Sequence, residues 1–317
     1  MSVAADDVQL DDRIVKAMQT MEQRVASVVL GKRPQVRLAV AALISGEHLL
    51  LHDLPGVGKT TLASALSKVL DGALGRIQGT PDLLPADVTG SSIYNQHDGT
   101  WTFRPGPIMT NVVLVDELNR ITPRTQSALL QAMAEHEVTV DGVTRPVPDP
   151  FLVVATMNPV GSAGTFPLTL GQLDRFGLAL RLGPVDRQSE RMILRGRGGV
   201  DAIDMLKPVL PADLLPDLQG IVSLVHASDP VIEYVLDLCD ALRPNTHLST
   251  RAARSALAVA RAIAALEGRN YVLPDDVKAV AVPCLAHRLV SEGEGIDARQ
   301  ADVRTVVESL PVPDLVP

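Results

Sequence analysis

The sequence predicts an α/β protein: a core built on a parallel sheet, followed by an all-helical C-terminal domain. Three observations carry that prediction. Short apolar runs suited to buried strands alternate with stretches of helical periodicity through the first half of the chain. One such run breaks into a Pro/Gly turn and restarts at once as a helix, over residues 48–69. After about Pro184 the strand runs stop, a zone rich in Gly and Pro follows, and from Asp213 only helical periodicity remains. We therefore divide the chain into a core of residues 1–186 and a helical domain of residues 187–317.

The elements follow in order. Ile14, Ala17, Met18, Met21, Val25 and Val28 recur on one helical face, with Asp11 or Asp12 available as N-cap. A second helix runs from about Pro34 to Ile44. Residues 48–51 form a compact apolar run, and the helix after the turn carries Thr61, Leu62, Ala65, Leu66 and Val69. Between Arg76 and Pro107 the sequence reads as mostly loop. Asp98-Gly99 is the exception: flanked by Ile93, Tyr94, Trp101 and Phe103, it predicts a hairpin. Residues 112–115 form a strand that runs straight into Asp116-Glu117. Thr122 and Pro123 then open a helix as N-cap and first helical residue. Asp141-Gly142, between valines, marks a second hairpin, and residues 151–156 form a third buried strand leading to Asn158.

Composition narrows the function. The chain has 317 residues, 46% hydrophobic and 21% charged, which suits a folded protein and excludes wholesale disorder. A net charge of −8 opposes a broad electrostatic grip on nucleic acid, so no nucleic-acid partner is expected. Cys239 and Cys284 lack metal-ligand or CxxC spacing and read as buried thiols of a reducing compartment. The N-terminus lacks a signal peptide's basic start and apolar stretch. No apolar run approaches the roughly 20 residues that span a bilayer. The expected location is the cytoplasm.

The turn after the first strand carries the chemistry. Asp53-Leu54-Pro55-Gly56-Val57-Gly58-Lys59-Thr60-Thr61 ends in the Gly-Lys-Thr of a Walker A phosphate loop. Such a loop aims backbone N–H groups at phosphates, and the following helix adds its positive end. Side chains at Gly56 and Gly58 would block that approach. Lys59 would neutralise phosphate charge, and the Thr60 hydroxyl would ligate Mg²⁺. The cofactors expected are therefore ATP and Mg²⁺, cradled by Pro55, Gly56, Val57, Gly58, Lys59, Thr60 and Thr61. The strict pattern has glycine where Asp53 stands, and a carboxylate there is tolerable only if it points away from the phosphates.

A phosphate loop needs a carboxylate at the tip of a neighbouring strand. Asp116 would hold Mg²⁺ through water and Glu117 would polarise the attacking water. Asn158 has two readings, as the group that orients that water or as half of an Asn-Pro turn. Arg175 is either an arginine finger reaching a neighbouring subunit's γ-phosphate or a surface residue. Arg251, at the start of a C-terminal helix, could report nucleotide state.

With these pieces in place the chain resembles the MoxR family of AAA+ ATPases. The resemblance rests on TPDLLPADVTG (80–90), FRPGPI (103–108), DELNR (116–120), TQSALLQAM (125–133), ATMNP (155–159), GTFPL (164–168) and QLDRF (172–176). LEGR (266–269), PDDV (274–277) and HRL (287–289) extend it through the C-terminal domain. It implies a P-loop NTPase core of αβα layers with a helical lid, assembled as a ring that is usually a hexamer. It also implies sensor 1 at Asn158, a finger at Arg175 with Arg120 as its rival, and sensor 2 at Arg251. Such proteins look like chaperones that remodel or activate partner complexes, often alongside a von Willebrand factor A-type protein. Beside Asp53 the chain departs twice more. Thr169-Leu170 replaces a Pro-Glu pair whose glutamate would pair across a subunit interface, and Gly79 replaces a common aromatic. The competing functions are a nucleic-acid motor of the same clade, a weakly hydrolysing nucleotide switch or scaffold, and a chelatase-type motor subunit.

Overall fold

The computed structural model describes residues 10–54, 56–157, 164–243, 248–291 and 294–313. Helix α1 (Asp12–Val28) starts where the Asp11 carboxylate accepts the Arg13 N–H at 2.8 Å, and it buries Met18, Met21, Val25 and Val28. α2 (Arg33–Ser45) carries a proline in its first turn and stops at Gly46, whose φ of 74° ends the helix. β1 (Leu49–His52) is buried throughout and leads through the glycine turn into α3 (Lys59–Val69).

The segment after Arg76 departs from its loop-like reading. β2 (Leu74–Gln78) and α4 (Pro85–Thr89) are the departures, while β3 (Gly90–Asn95) with β4 (Thr100–Pro105) forms the hairpin expected around Asp98-Gly99. β2 escaped the sequence because it lies at the sheet edge and buries only Gly75 and Ile77, so no apolar run marks it. Next come β5 (Val112–Asp116), α5 (Pro123–Glu135), the hairpin of β6 (Glu137–Val140) with β7 (Val143–Pro146), β8 (Leu152–Met157), the short α6 (Leu170–Leu173) and β9 (Leu178–Leu180). Thr122 stands at the N-cap of α5 as expected, but its hydroxyl goes to the Thr125 side chain rather than capping the helix.

The five core strands are parallel, in the order β2-β5-β8-β1-β9. Residues alternate between two buried faces. Leu49, Leu51, Val112, Leu114, Val154 and Leu178 join the core with α1, α2 and α3, whereas Leu50, Val113, Val115, Val153 and Ala155 pack with α5 and Phe176. Helices thus cover both faces. In such a sheet the carboxyl ends of the central strands form the natural ligand crevice, and β1, β5 and β8 all deliver their chain there.

The remaining elements are helical: α7 (Arg187–Leu194), α8 (Leu215–Ser223), α9 (Asp229–Leu242), α10 (Thr250–Leu266), α11 (Pro274–Leu285) and α12 (Gln300–Ser309). The apolar faces of α8 to α12 merge with those of α1 and α2 into one buried cluster that contains Cys239 and Cys284, both free. Among the described residues no helix is long and apolar enough to cross a membrane.

Candidate nucleotide site

The glycine turn hands β1 to α3 through two left-handed residues, Gly56 at φ 83° and Gly58 at φ 100°. An added Cβ at either would meet nothing within 4 Å, so the loop presents an open, side-chain-free surface at the N-terminus of an 11-residue helix. Lys59 is the first residue of that helix. Its Nζ donates to the carbonyls of Asp53 at 2.7 Å and Leu54 at 3.2 Å. Burial lowers the Lys59 pKa, while the charges of Asp53, Asp116 and Glu117 act to raise it. Thr60 is half-buried, Thr61 is buried, and Val57 packs against the core. Pro55, expected in the cradle, lies outside the described residues.

The Asp53 carboxylate does point away. Oδ1 accepts the Leu54 N–H at 2.8 Å and Oδ2 accepts the Gly183 N–H at 2.6 Å, and the residue is buried. It therefore ties the start of the loop to the chain just after β9, and any phosphates above the loop would meet backbone N–H groups rather than this charge.

Asp116 and Glu117 sit at the tip of β5. Arg76 on the neighbouring β2 donates from Nε at 3.2 Å and from NH2 at 3.0 Å, both to Asp116 Oδ2. Glu117 adopts a left-handed backbone at φ 57°, unusual for a non-glycine residue. Its N–H donates to Thr156 Oγ1 on β8 at 2.8 Å, and its Oε2 accepts from Arg120 NH1 at 2.9 Å. Arg120, the rival finger, is thus paired within its own chain. Gly79 approaches the same turn, its N–H donating to the Asp116 carbonyl at 2.7 Å. A Cβ there would fall 2.3 Å from the Glu117 carbonyl oxygen, so this backbone has no room for a side chain at position 79.

Asn158 also lies outside the described residues, one position beyond the end of β8. Arg175 follows α6, half-buried, just before the amino end of β9, the edge strand opposite β2, and so at the other end of the sheet from Asp116 and Glu117. Its side chain makes no hydrogen bond or ion pair among the described residues. Arg251 is the second residue of α10 and is exposed. Lys59, Asp116 and Glu117 therefore come together at the carboxyl ends of β1 and β5, while Arg175 and Arg251 belong to a separate junction between core and lid.

Comparison with known proteins agrees with this layout. Residues 48–178 match the ATPase family associated with various cellular activities (AAA), and residues 242–308 match the AAA lid domain. The Bacillus subtilis protein YeaC is 44% identical over 299 residues, covering 92% of this chain and 93% of YeaC. Chaperone MoxR1 of Mycobacterium tuberculosis is 36% identical over 84% of this chain and 74% of its own length. Protein MoxR of Paracoccus denitrificans is 33% identical over 92% and 95%. The chain belongs to the MoxR family of AAA+ ATPases.

A crystal structure of a Cytophaga hutchinsonii protein extends the match to the whole fold. Its TM-score is 0.84 at 32% identity, covering 95% of this chain and 96% of that one. Within this MoxR protein, Leu170 belongs to the pair that departs from the family pattern in the sequence. It is 42% exposed at the rim of an apolar cavity of about 660 Å³, lined also by Asn119, Met157, Leu168, Leu173 and Ile296. That cavity lies beside the sheet tips rather than over the phosphate loop. Arg76, Thr156 and Gly183 are the residues near the candidate site that sequence reasoning passed over. Thr156 lies within the ATMNP run but has no role there that sequence alone suggests. Neither Arg76 nor Gly183 belongs to a local motif, and only the spacing of β2 beside β5 could have pointed to Arg76.

Proposed function

We propose that this protein binds ATP on residues 55–61 and hydrolyses it with Glu117, and that it uses the cycle to remodel or activate a partner protein complex. The observation that carries this reading is the meeting of Lys59, Asp116 and Glu117 at one end of the parallel sheet, where both carboxylates act against the fall that burial imposes on the lysine's pKa. The donor set suits a phosphate-bound magnesium ion: one hydroxyl, Thr60, as ligand and one carboxylate, Asp116, acting through water leave the remaining positions to phosphate and water. Both Arg76 bonds fall on Oδ2 of Asp116, which leaves Oδ1 for the cation. When bound, the ion would offset phosphate charge. The protein's own contribution is Lys59 against the phosphates, the backbone N–H groups of the loop, and Glu117 as the base that takes the water's proton.

The division into a core to residue 186 and a lid from residue 187 belongs to the same reading, as do sensor 1 at Asn158, sensor 2 at Arg251 and a finger at Arg175. Glu117 is held by Arg120 within the chain, so Arg175, which lacks a partner among the described residues, is the better candidate to act on a neighbouring subunit. A ring, hexameric as the resemblance implies, would supply that neighbour. The partner reading, a client complex with a von Willebrand factor A-type protein, follows the family, one of whose members is named a chaperone.

The test is steady-state ATP hydrolysis against protein concentration, with mass by light scattering and Lys59→Ala alongside. Activity per subunit should rise with assembly, and Lys59→Ala should lose nucleotide binding by about 10²- to 10³-fold, as a phosphate left without its counter-charge requires. Unchanged affinity in that variant would remove the loop from the function.

A further inference from the structure

A cluster of buried polar groups joins the lid to the segment that carries Arg175. Arg288, just past α11, is 4% exposed. Its NH2 donates to the carbonyls of Phe176 at 3.0 Å and Asp174 at 3.4 Å and to Ser255 Oγ at 3.2 Å, while NH1 donates to the Cys284 carbonyl at 3.0 Å. Nε lies 3.1 Å from Asp174 Oδ1. The preceding residue, His287, places Nε2 2.9 Å from the Phe176 carbonyl, and burial keeps its ring neutral, so that nitrogen donates. The carbonyls on both sides of Arg175 are thus held by lid side chains.

Asp174 also reaches in the other direction. Its two oxygens accept from Ser249 Oγ at 3.0 and 2.9 Å, and the same Oγ accepts the Ala252 N–H at 3.3 Å as the N-cap of α10, two residues before Arg251. Glu47, at the foot of β1, completes the cluster by accepting from Ser255 Oγ at 3.0 Å. A buried guanidinium is costly unless its donors are matched, and well-packed apolar residues would join two domains without that cost. What directed bonds add is a fixed orientation, and here they converge on the three residues 174–176.

We infer that Asp174 and Arg288 are positioning residues for Arg175, fixing the backbone on both sides of it and fastening it to the capped start of α10. Lid and finger of one subunit then move together. This rests on the reading of Arg175 as a finger that acts on a neighbouring subunit.

Asp174→Asn is the decisive variant, since it keeps the size and an acceptor for Ser249 while removing the charge opposite Arg288; Arg288→Ala risks misfolding. Turnover of the assembled variant should fall by about 10²-fold, the cost of a finger misplaced by about 1 Å. Its own affinity for a fluorescent ATP analogue should not change. Mixing it with Glu117→Gln subunits, whose fingers are intact, should restore part of the turnover, and the double variant with Arg175→Ala should be no slower than Arg175→Ala alone. Wild-type turnover, failure of the mixture to recover, or additive losses in the double variant would each overturn the inference. Full turnover in Arg175→Ala would instead sink the finger reading, and the positioning role with it, before Asp174 is touched.

Discussion

The phosphate loop and the finger segment are built in opposite ways. Residues 56–60 follow one another along the chain, expose their backbone and depend on two glycines with nothing near them. Residues 174–176 are anchored by side chains from positions 249, 287 and 288, more than 70 residues away in sequence. On the proposed reading the loop needs an open surface, because a nucleotide would approach the backbone itself. If Arg175 is a finger, as proposed, its segment needs a rigid base, because a single long side chain would have to deliver its charge to one place. One region works by leaving space and the other by filling it.

The contrast can be broken first at Arg175. Arg175→Ala should lower turnover by about 10³- to 10⁵-fold, the range of arginine fingers, while the variant binds nucleotide as before. Single-turnover hydrolysis alongside equilibrium binding measures both, and weaker binding would place Arg175 at its own subunit's site. A smaller effect is expected from Asp53→Ala, which leaves the Leu54 and Gly183 N–H groups without their acceptor. About 3 kcal/mol of stability should go with these two charge-assisted bonds. A denaturant midpoint equal to wild type would show that Asp53 merely occupies the glycine position.

The smallest effect concerns the base of the finger and its neighbour strand. Burial pushes His287 down to about 3 and His48 down to about 4, from an ordinary value near 6.5. Each histidine is neutral when folded and gains a proton on unfolding over that window. Each therefore contributes stability that is present above about pH 6.5 and lost as the pH falls toward its folded value, by up to about 1.4 kcal/mol per pH unit. Glu47 opposes them, since burial raises its pKa and its contribution is lost as the pH rises through that raised value. Thermal unfolding followed from pH 7 to pH 4.5 should show a falling midpoint whose slope lessens in His287→Gln. An unaltered slope would mean that His287 has no part in it.

Much of this was legible in the chain. β1, β5 and β8 are buried on both faces and so read as uninterrupted apolar runs, and the Gly-Lys-Thr turn and Asp116-Glu117 sit where those runs end. β2 was not legible, because an edge strand needs only one or two buried residues and here one of them is Gly75. Gly79 could be seen as a departure from its relatives but not explained, since its reason is the carbonyl of Glu117, a contact made across two strands.

The sequence by itself determined the parallel α/β core and the helical C-terminal region, and it located the glycine turn and the acidic pair on which the proposed nucleotide site rests. Periodicity, turn chemistry and contiguous motifs are local properties of a chain. Only the tertiary structure decided that Asp53 turns its charge to Gly183, that Arg76 and Arg120 hold Asp116 and Glu117, and that Arg288 and Ser249 grip the segment around Arg175. Those arrangements depend on which strands become neighbours and which buried donors must find acceptors, and both follow from how the layers pack.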